Sequence, residues 1–137
     1  MCIFSEQLCD LSNDCGDNSD EATELCQSYF YETFEDEGEK FFHNGPNQPV
    51  NWVRGSGDQL LKARAPNFDH TTFSNRGHYM MLEMKNGTTS DLIRSILISS
   101  MMEPPENPDD VCRIRFYFHM LREHQIAALR LYIEYVL

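Results

Sequence analysis

The sequence predicts a mainly β protein, an antiparallel β-sandwich preceded by a small loop module. Three observations carry that expectation. Several stretches alternate apolar and polar residues with period two, turn signals separate them, and helical periodicity is scarce. The first 26 residues hold four of the five cysteines and too few apolar side chains to build a core of their own.

At 137 residues the chain has room for one domain with a core and one small satellite. The division expected is a module over 1–26 and a larger domain over 27–137. Charge divides the chain in nearly the same place. Residues 1–39 carry twelve of the 22 acidic side chains and none of the 11 lysines and arginines, so the net charge of -11 belongs to the head. Such a surface repels phosphate backbones and anionic lipid, which argues against nucleic-acid binding, and no apolar run approaches the roughly 20 residues of a membrane span, so no direct membrane insertion by this segment is expected. It attracts cations instead.

Along the chain, residues 28–35, the start of "SYFYETFED", are expected to be a strand by their aromatic content, and 36–49 to be irregular, rich in Gly, Pro, Asn and acid. In "HYMMLEMK" His78, Met80, Leu82 and Met84 share one face, with Glu83 and Lys85 opposite, and Asn86-Gly87 turns the chain. "VCRIRFYFHM" gives the cleanest alternation, Cys112, Ile114, Phe116, Phe118 and Met120 against Arg113, Arg115, Tyr117 and His119. "IAALRLYIEYVL" puts Ala127, Leu129, Leu131, Ile133 and Tyr135 on one face of a last strand with Arg130 and Glu134 opposite, a helix being the alternative there, and "MMEPPENPDD" is a proline-broken loop. Trp52, Met80, Met81, Met84 and Met120 are expected in the core. A sandwich whose last strand runs into Leu137 would leave an edge open, so further strands are expected in a longer protein.

Chemistry concentrates in "CDLSNDCGDNSDE", Cys9 to Glu21, where five acidic side chains and two cysteines fall within thirteen residues. Zinc does not fit: no C-x2-C pair occurs among the first four cysteines, and no histidine precedes His43. Calcium, which takes six to eight oxygens, does. As an EF-hand loop, Asp10, Ser12, Asp14, Asn18 and Glu21 would fall at positions 1, 3, 5, 9 and 12. Cys15 then occupies the position that demands glycine, and the preceding nine residues are too short and cysteine-rich for a flanking helix.

The stretch "CIFSEQLCDLSNDCGDNSDEATELC" resembles the second half of an LDL-receptor class A repeat, with Cys2, Cys9, Cys15 and Cys26 in the places of its third to sixth cysteines. The resemblance implies Ca2+ held by the side chains of Asp10, Asp14, Asp20 and Glu21 and by the backbone carbonyls of Gln7 and Ser12. Gln7 stands where that family usually has an aromatic residue, and Asp17 falls between ligands, facing solvent. It also implies a Cys9–Cys26 disulfide and leaves Cys2 and Cys15 unpaired, because the family's first two cysteines are absent.

From residue 28 onward the chain resembles a MAM domain, the jelly-roll-like extracellular sandwich of meprin-like proteases, neuropilin-like receptors and receptor tyrosine phosphatases. "FED" at 34–36, "NWVRGSG" at 51–57, "APNFDHTT" at 65–72, "GHYMMLE" at 77–83 and "CRIRFYFHM" at 112–120 occur in family order. The family's first cysteine is Glu32 here and its partner falls near Phe41 or Phe42, so that disulfide is absent at both ends. Cys112 matches the third, whose partner would lie beyond Leu137, which leaves Cys112 unpaired and the domain C-terminally truncated.

Asp69-His70 beside Thr71 and Thr72 suggests a charge relay, but no nucleophile in an elbow or oxyanion motif accompanies it, and a structural turn is expected. His78, His119 and His124 lack metal-ligand spacing and are expected to be structural or solvent-facing. Asn86-Gly87-Thr88 is a glycosylation sequon. These expectations define a non-catalytic recognition or adhesion module of a larger secreted or cell-surface protein. It would carry structural calcium and bind a protein partner such as another MAM-type or cell-surface protein. The alternatives are a substrate-positioning or targeting segment of an extracellular protease, and an EF-hand-like sensor.

Overall fold

The computed structural model describes residues 3–37, 41–58, 65–82, 93–104, 107, 111–120 and 128–134. Its strands are β1 (Phe42–Asn44), β2 (Trp52–Ser56), β3 (His78–Leu82) and β4 (Leu97–Ser99). They pair as two antiparallel two-stranded sheets, β1 with β4 and β2 with β3, which places the chain in the mainly β, antiparallel class expected of it. The helical elements are short: single 3-10 turns at Ser5–Gln7 and Ser19–Glu21, and α1 over Thr23–Cys26.

The β2–β3 register sets one face of the larger sheet. Trp52 opposes Leu82, Arg54 opposes Met80 and Ser56 opposes His78, so these six side chains lie on the same side. The 34–37 segment is held there by hydrogen bonds. Arg54 donates from Nε to the Phe34 carbonyl at 2.5 Å, from Nη2 to the Glu35 carbonyl at 2.8 Å and from Nη1 to Glu37 Oε1 at 2.8 Å. Glu35 in turn accepts the His78 amide at 2.6 Å and lies 2.9 Å from His78 Nδ1. A planar guanidinium with several fixed donors suits such a clamp better than an ammonium would. The outer Arg54–Glu37 pair adds little, since Glu37 is 83% exposed.

The two sheets are linked through Asn44 at the end of β1. Its Oδ1 accepts the Trp52 amide at 2.8 Å and its Nδ2 donates to the Trp52 carbonyl at 2.9 Å, so one side chain serves both backbone groups at the start of β2. Gln48 adds a second link, donating to Asn44 Oδ1 at 2.8 Å and accepting the Ile96 amide at 2.8 Å. Rings of Phe30, Phe34, Phe41 and Phe42 pack with centroids 4.5 to 5.8 Å apart and tie the 30–34 stretch to β1.

Two glycines are required by close approach. A Cβ on Gly57 would collide with the Asn67 backbone, and one on Gly77 would collide with Asp69 Oδ1 and Thr72 Oγ1. Asp69, buried at 3% exposure, organises this turn. It accepts the Thr72 amide at 2.7 Å, the Thr72 hydroxyl at 2.5 Å and the Ser74 amide at 3.3 Å. Burial by itself would raise its pKa. The Thr72 hydroxyl and the amides of Thr72, Ser74 and Thr71 outweigh burial and hold it below the ordinary value. His70 stacks on Tyr117 and tilts against Phe73, so Asp69 serves the turn and His70 an aromatic contact.

Several expectations are corrected. "YFYETFED" is not a strand, and Phe34 within it has φ of 63°, a left-handed conformation that breaks extended structure. Part of the supposedly irregular 36–49 stretch forms β1, because β4 supplies it with a partner remote in sequence. Residues 111–120, the cleanest alternation, pair with no strand among the described residues, and all of them are exposed. The same holds for 128–134. Trp52, Met80 and Met81 are half-buried rather than core, and Met120 is 42% exposed. Among the described residues the buried hydrophobic side chains are Cys9 and Cys26. Cys2, Met84, Glu83, Lys85, Asn86, His124, Ala127 and Tyr135 lie outside the described residues. No helix among the described residues is long and apolar enough to cross a membrane.

Two outcomes test this account. Gly77→Ala is expected to destabilise the chain by roughly 1–3 kcal/mol through overpacking against Asp69, measured by urea unfolding. A carboxyl whose pKa is depressed in the fold contributes stability above its unfolded value that is lost as pH falls through the native value. Asp69→Asn should therefore be less stable than the parent at pH 7, and the gap should narrow as pH falls below about 4.

Candidate metal centre

The acidic loop is closed covalently. Cys9 and Cys26 form a disulfide across a separation of 17 residues, and both sulfurs lie within 3.8 Å of the Asp20 carbonyl oxygen. The Cys9 amide donates to that same carbonyl at 3.2 Å. Between the cysteines the backbone turns through left-handed conformations at Leu11, Gly16 and Asn18, with Cys9 itself at φ of 54°. For Cys9 and Leu11 this costs about 1–2 kcal/mol each. Such strain persists where the surroundings over-determine the chain, as the disulfide and a set of carboxyl–amide bonds do here.

Those bonds assign a place to each acidic residue. Glu21 accepts the amides of Asp10 at 2.8 Å and Leu11 at 3.0 Å, one on each oxygen. Asp20 Oδ2 accepts the amides of Asp14 at 2.8 Å and Cys15 at 3.3 Å. Asp10 Oδ1 accepts the Ser12 amide at 3.0 Å, and Asp14 Oδ1 accepts the Gln7 side-chain amide at 3.0 Å. Asp17 is exposed and accepts the Ser19 amide at 3.0 Å, and its hydrogen bonds with Ser19 lower its pKa.

One atom has no such place. Asp20 is 1% exposed, yet its Oδ1 has no hydrogen-bond partner among the described residues. A buried carboxyl oxygen without a partner is costly, and a bound cation would satisfy it. Among the described residues, candidate ligand atoms of Cys15, Asp17 and Asp20 lie together, all within 4.8 Å of one another. Sequence reasoning singled out Asp20 from that trio but assigned Asp17 to solvent and left Cys15 as an unpaired thiol. Their convergence follows from the curl at Gly16, which spacing alone does not reveal. A hard cation takes oxygen, so Asp17 and Asp20 suit it and the free thiol of Cys15 does not. Asp10, Asp14 and Glu21, the other carboxylates expected as ligands, are not part of that group; they accept backbone or side-chain N–H, and each retains lone pairs.

A basic residue that sequence reasoning left on a solvent face also reaches the loop. Arg115 donates to the carbonyls of Glu6 at 2.7 Å, Leu8 at 2.9 Å and Cys9 at 3.2 Å, and its guanidinium lies 5.4 Å from the Tyr29 ring centre. Tyr31 donates to the Cys9 carbonyl at 3.2 Å. Burial raises the pKa of Tyr31, reinforced by Glu21, and burial likewise raises that of Tyr117, reinforced by Asp10. The charge contrast between an acidic head and an arginine-bearing stretch was the available signal.

A family model matches residues 32–136, under the description MAM domain, meprin/A5/mu. The chain belongs to the MAM domain family. No solved structure matches it. MAM domains are adhesion-type modules of extracellular and cell-surface proteins and mediate protein–protein contacts. The match takes in β1 to β4, the Arg54 clamp and the Asp69 turn, while the acidic loop lies ahead of it. Arg115, which sits inside the matched segment, joins the 111–120 stretch to the loop.

Reduction of the Cys9–Cys26 bond tests how far the loop depends on its closure. A disulfide spanning a loop of this size contributes about 3 kcal/mol. Amide exchange at Asp10, Leu11, Asp14 and Cys15 is therefore expected to accelerate on the order of a hundredfold after reduction. Exchange in the β2–β3 ladder should change little.

Proposed function

We propose that this chain is a non-catalytic recognition or adhesion module of a secreted or cell-surface protein, in which a calcium-stabilised acidic repeat of LDL-receptor class A type is attached to a MAM domain. The recognition part rests on family membership. The calcium part rests on one observation above all, the unpartnered buried Oδ1 of Asp20 inside a disulfide-closed loop. Asp10, Asp14, Asp20 and Glu21 would hold the ion with their side chains, and Gln7 and Ser12 with their carbonyls. The ion would supply positive charge, offsetting repulsion among carboxylates that no lysine or arginine of the head relieves. Binding energy would become folding energy for a module with few apolar residues, and a rigid module presents a defined surface to a protein partner. An EF-hand is disfavoured by the elements flanking the loop, a three-residue 3-10 turn before it and a four-residue helix after it.

Calorimetric titration of the oxidised chain with Ca2+ tests the proposal. Saturable binding at about 10⁻⁴ M or tighter is expected, the range of extracellular modules and better. Asp20→Asn, which removes a ligand charge at constant size, should weaken binding by about tenfold or more. Unchanged affinity in that variant removes the ligand set.

A further inference from the structure

Arg115 grips the acidic loop at the carbonyls of Glu6, Leu8 and Cys9, and those carbonyls flank Gln7 on both sides. The Gln7 carbonyl shares a planar peptide unit with the Leu8 amide, which donates to the Ser5 carbonyl at 3.4 Å, so that bond and the Arg115 bonds on either side hold the direction of the Gln7 carbonyl. The Gln7 side chain is held as well, accepting the Phe4 amide at 2.9 Å and donating to Asp14 Oδ1 at 3.0 Å. The fork is itself seated, with Tyr29 beneath the guanidinium and Tyr117, two residues along, stacked on His70. Glu6 and residues 114–117 line a shallow groove at this junction.

We propose that Arg115 is a positioning residue for the cation site: it aims the Gln7 carbonyl and makes the 111–120 segment of the MAM domain part of the scaffold that binds calcium. The inference rests on the calcium reading above and adds a coupling to it. Occupancy of the loop and seating of the 113–117 stretch are then one equilibrium, since anything that binds better to the seated form also favours seating. The role belongs to the geometry of the fork rather than to its charge. A cation beside a calcium site repels the ion, so charge alone predicts tighter binding when Arg115 is removed, whereas positioning predicts weaker binding.

The test compares the oxidised parent chain with Arg115→Ala and with Arg115→Lys, which keeps the charge and loses the fork. Calcium affinity by calorimetry is expected to fall about tenfold in both variants, the usual scale for removing a group that orients a metal ligand. In calcium-free samples the amides of Gln7, Leu8 and Cys9, which donate to Phe4, Ser5 and Asp20, should exchange faster in the variants. Unaltered exchange in the β2–β3 ladder would show that both variants fold. Calcium should slow exchange at residues 113–117 in the parent and not in Arg115→Ala. A parent that binds calcium, with variants of equal or tighter affinity, overturns the role of Arg115 and leaves the calcium reading standing. A parent with no saturable calcium heat overturns the calcium reading and the positioning role with it.

Discussion

Five acidic side chains within thirteen residues must be compensated locally, because the head has no cation of its own. Backbone amides supply much of that compensation. Glu21 gathers two of them and Asp20 another two, and the chain adopts left-handed turns so that these amides can face inward. Charged acceptors make stronger hydrogen bonds than neutral ones, which offsets the backbone strain at Cys9 and Leu11. The disulfide then prevents the loop from relaxing outward. Compensation is incomplete at one oxygen of Asp20, and that shortfall gives the loop its chemical character.

Elsewhere side-chain clamps do what a core does in a larger domain. The described residues bury few apolar side chains, and the contacts that define the sheets are polar and directional. Asn44 links β1 to β2, Gln48 reaches Ile96 just before β4, and Arg54 and His78 pin the 34–37 segment across the β2–β3 face. Each clamp satisfies backbone groups that would otherwise lack a partner, so each is costly to remove from one side alone. The MAM motifs coincide with these clamps: "FED" is the clamped segment, "NWVRGSG" carries Arg54, and "APNFDHTT" with "GHYMMLE" makes the Asp69–Gly77 contact.

Arg115 connects the two parts of the chain. It joins the acidic head to a segment 109 positions away through carbonyl oxygens rather than carboxylates. Carbonyls offer direction where carboxylates offer charge, so the contact sets geometry in a loop whose electrostatics are otherwise arranged within itself.

The sequence by itself determined the mainly β antiparallel class, the MAM family, the concentration of acid in the head and the strand at 78–82, because composition, motif order and period-two alternation are local properties. It was a poor guide wherever a partner remote in sequence decides. Phe42–Asn44 is a strand because Leu97–Ser99 lies beside it, while residues 111–120 alternate cleanly yet have no strand partner among the described residues. Spacing and resemblance suggested which acidic residues could hold a cation. The convergence of Asp17 with Asp20 and the arrival of Arg115 at the Gln7 backbone were settled by the tertiary structure. A ligand cage and its support depend on where carbonyl and carboxyl oxygens point, and that direction is set by turns and long-range contacts rather than by alternation along the chain.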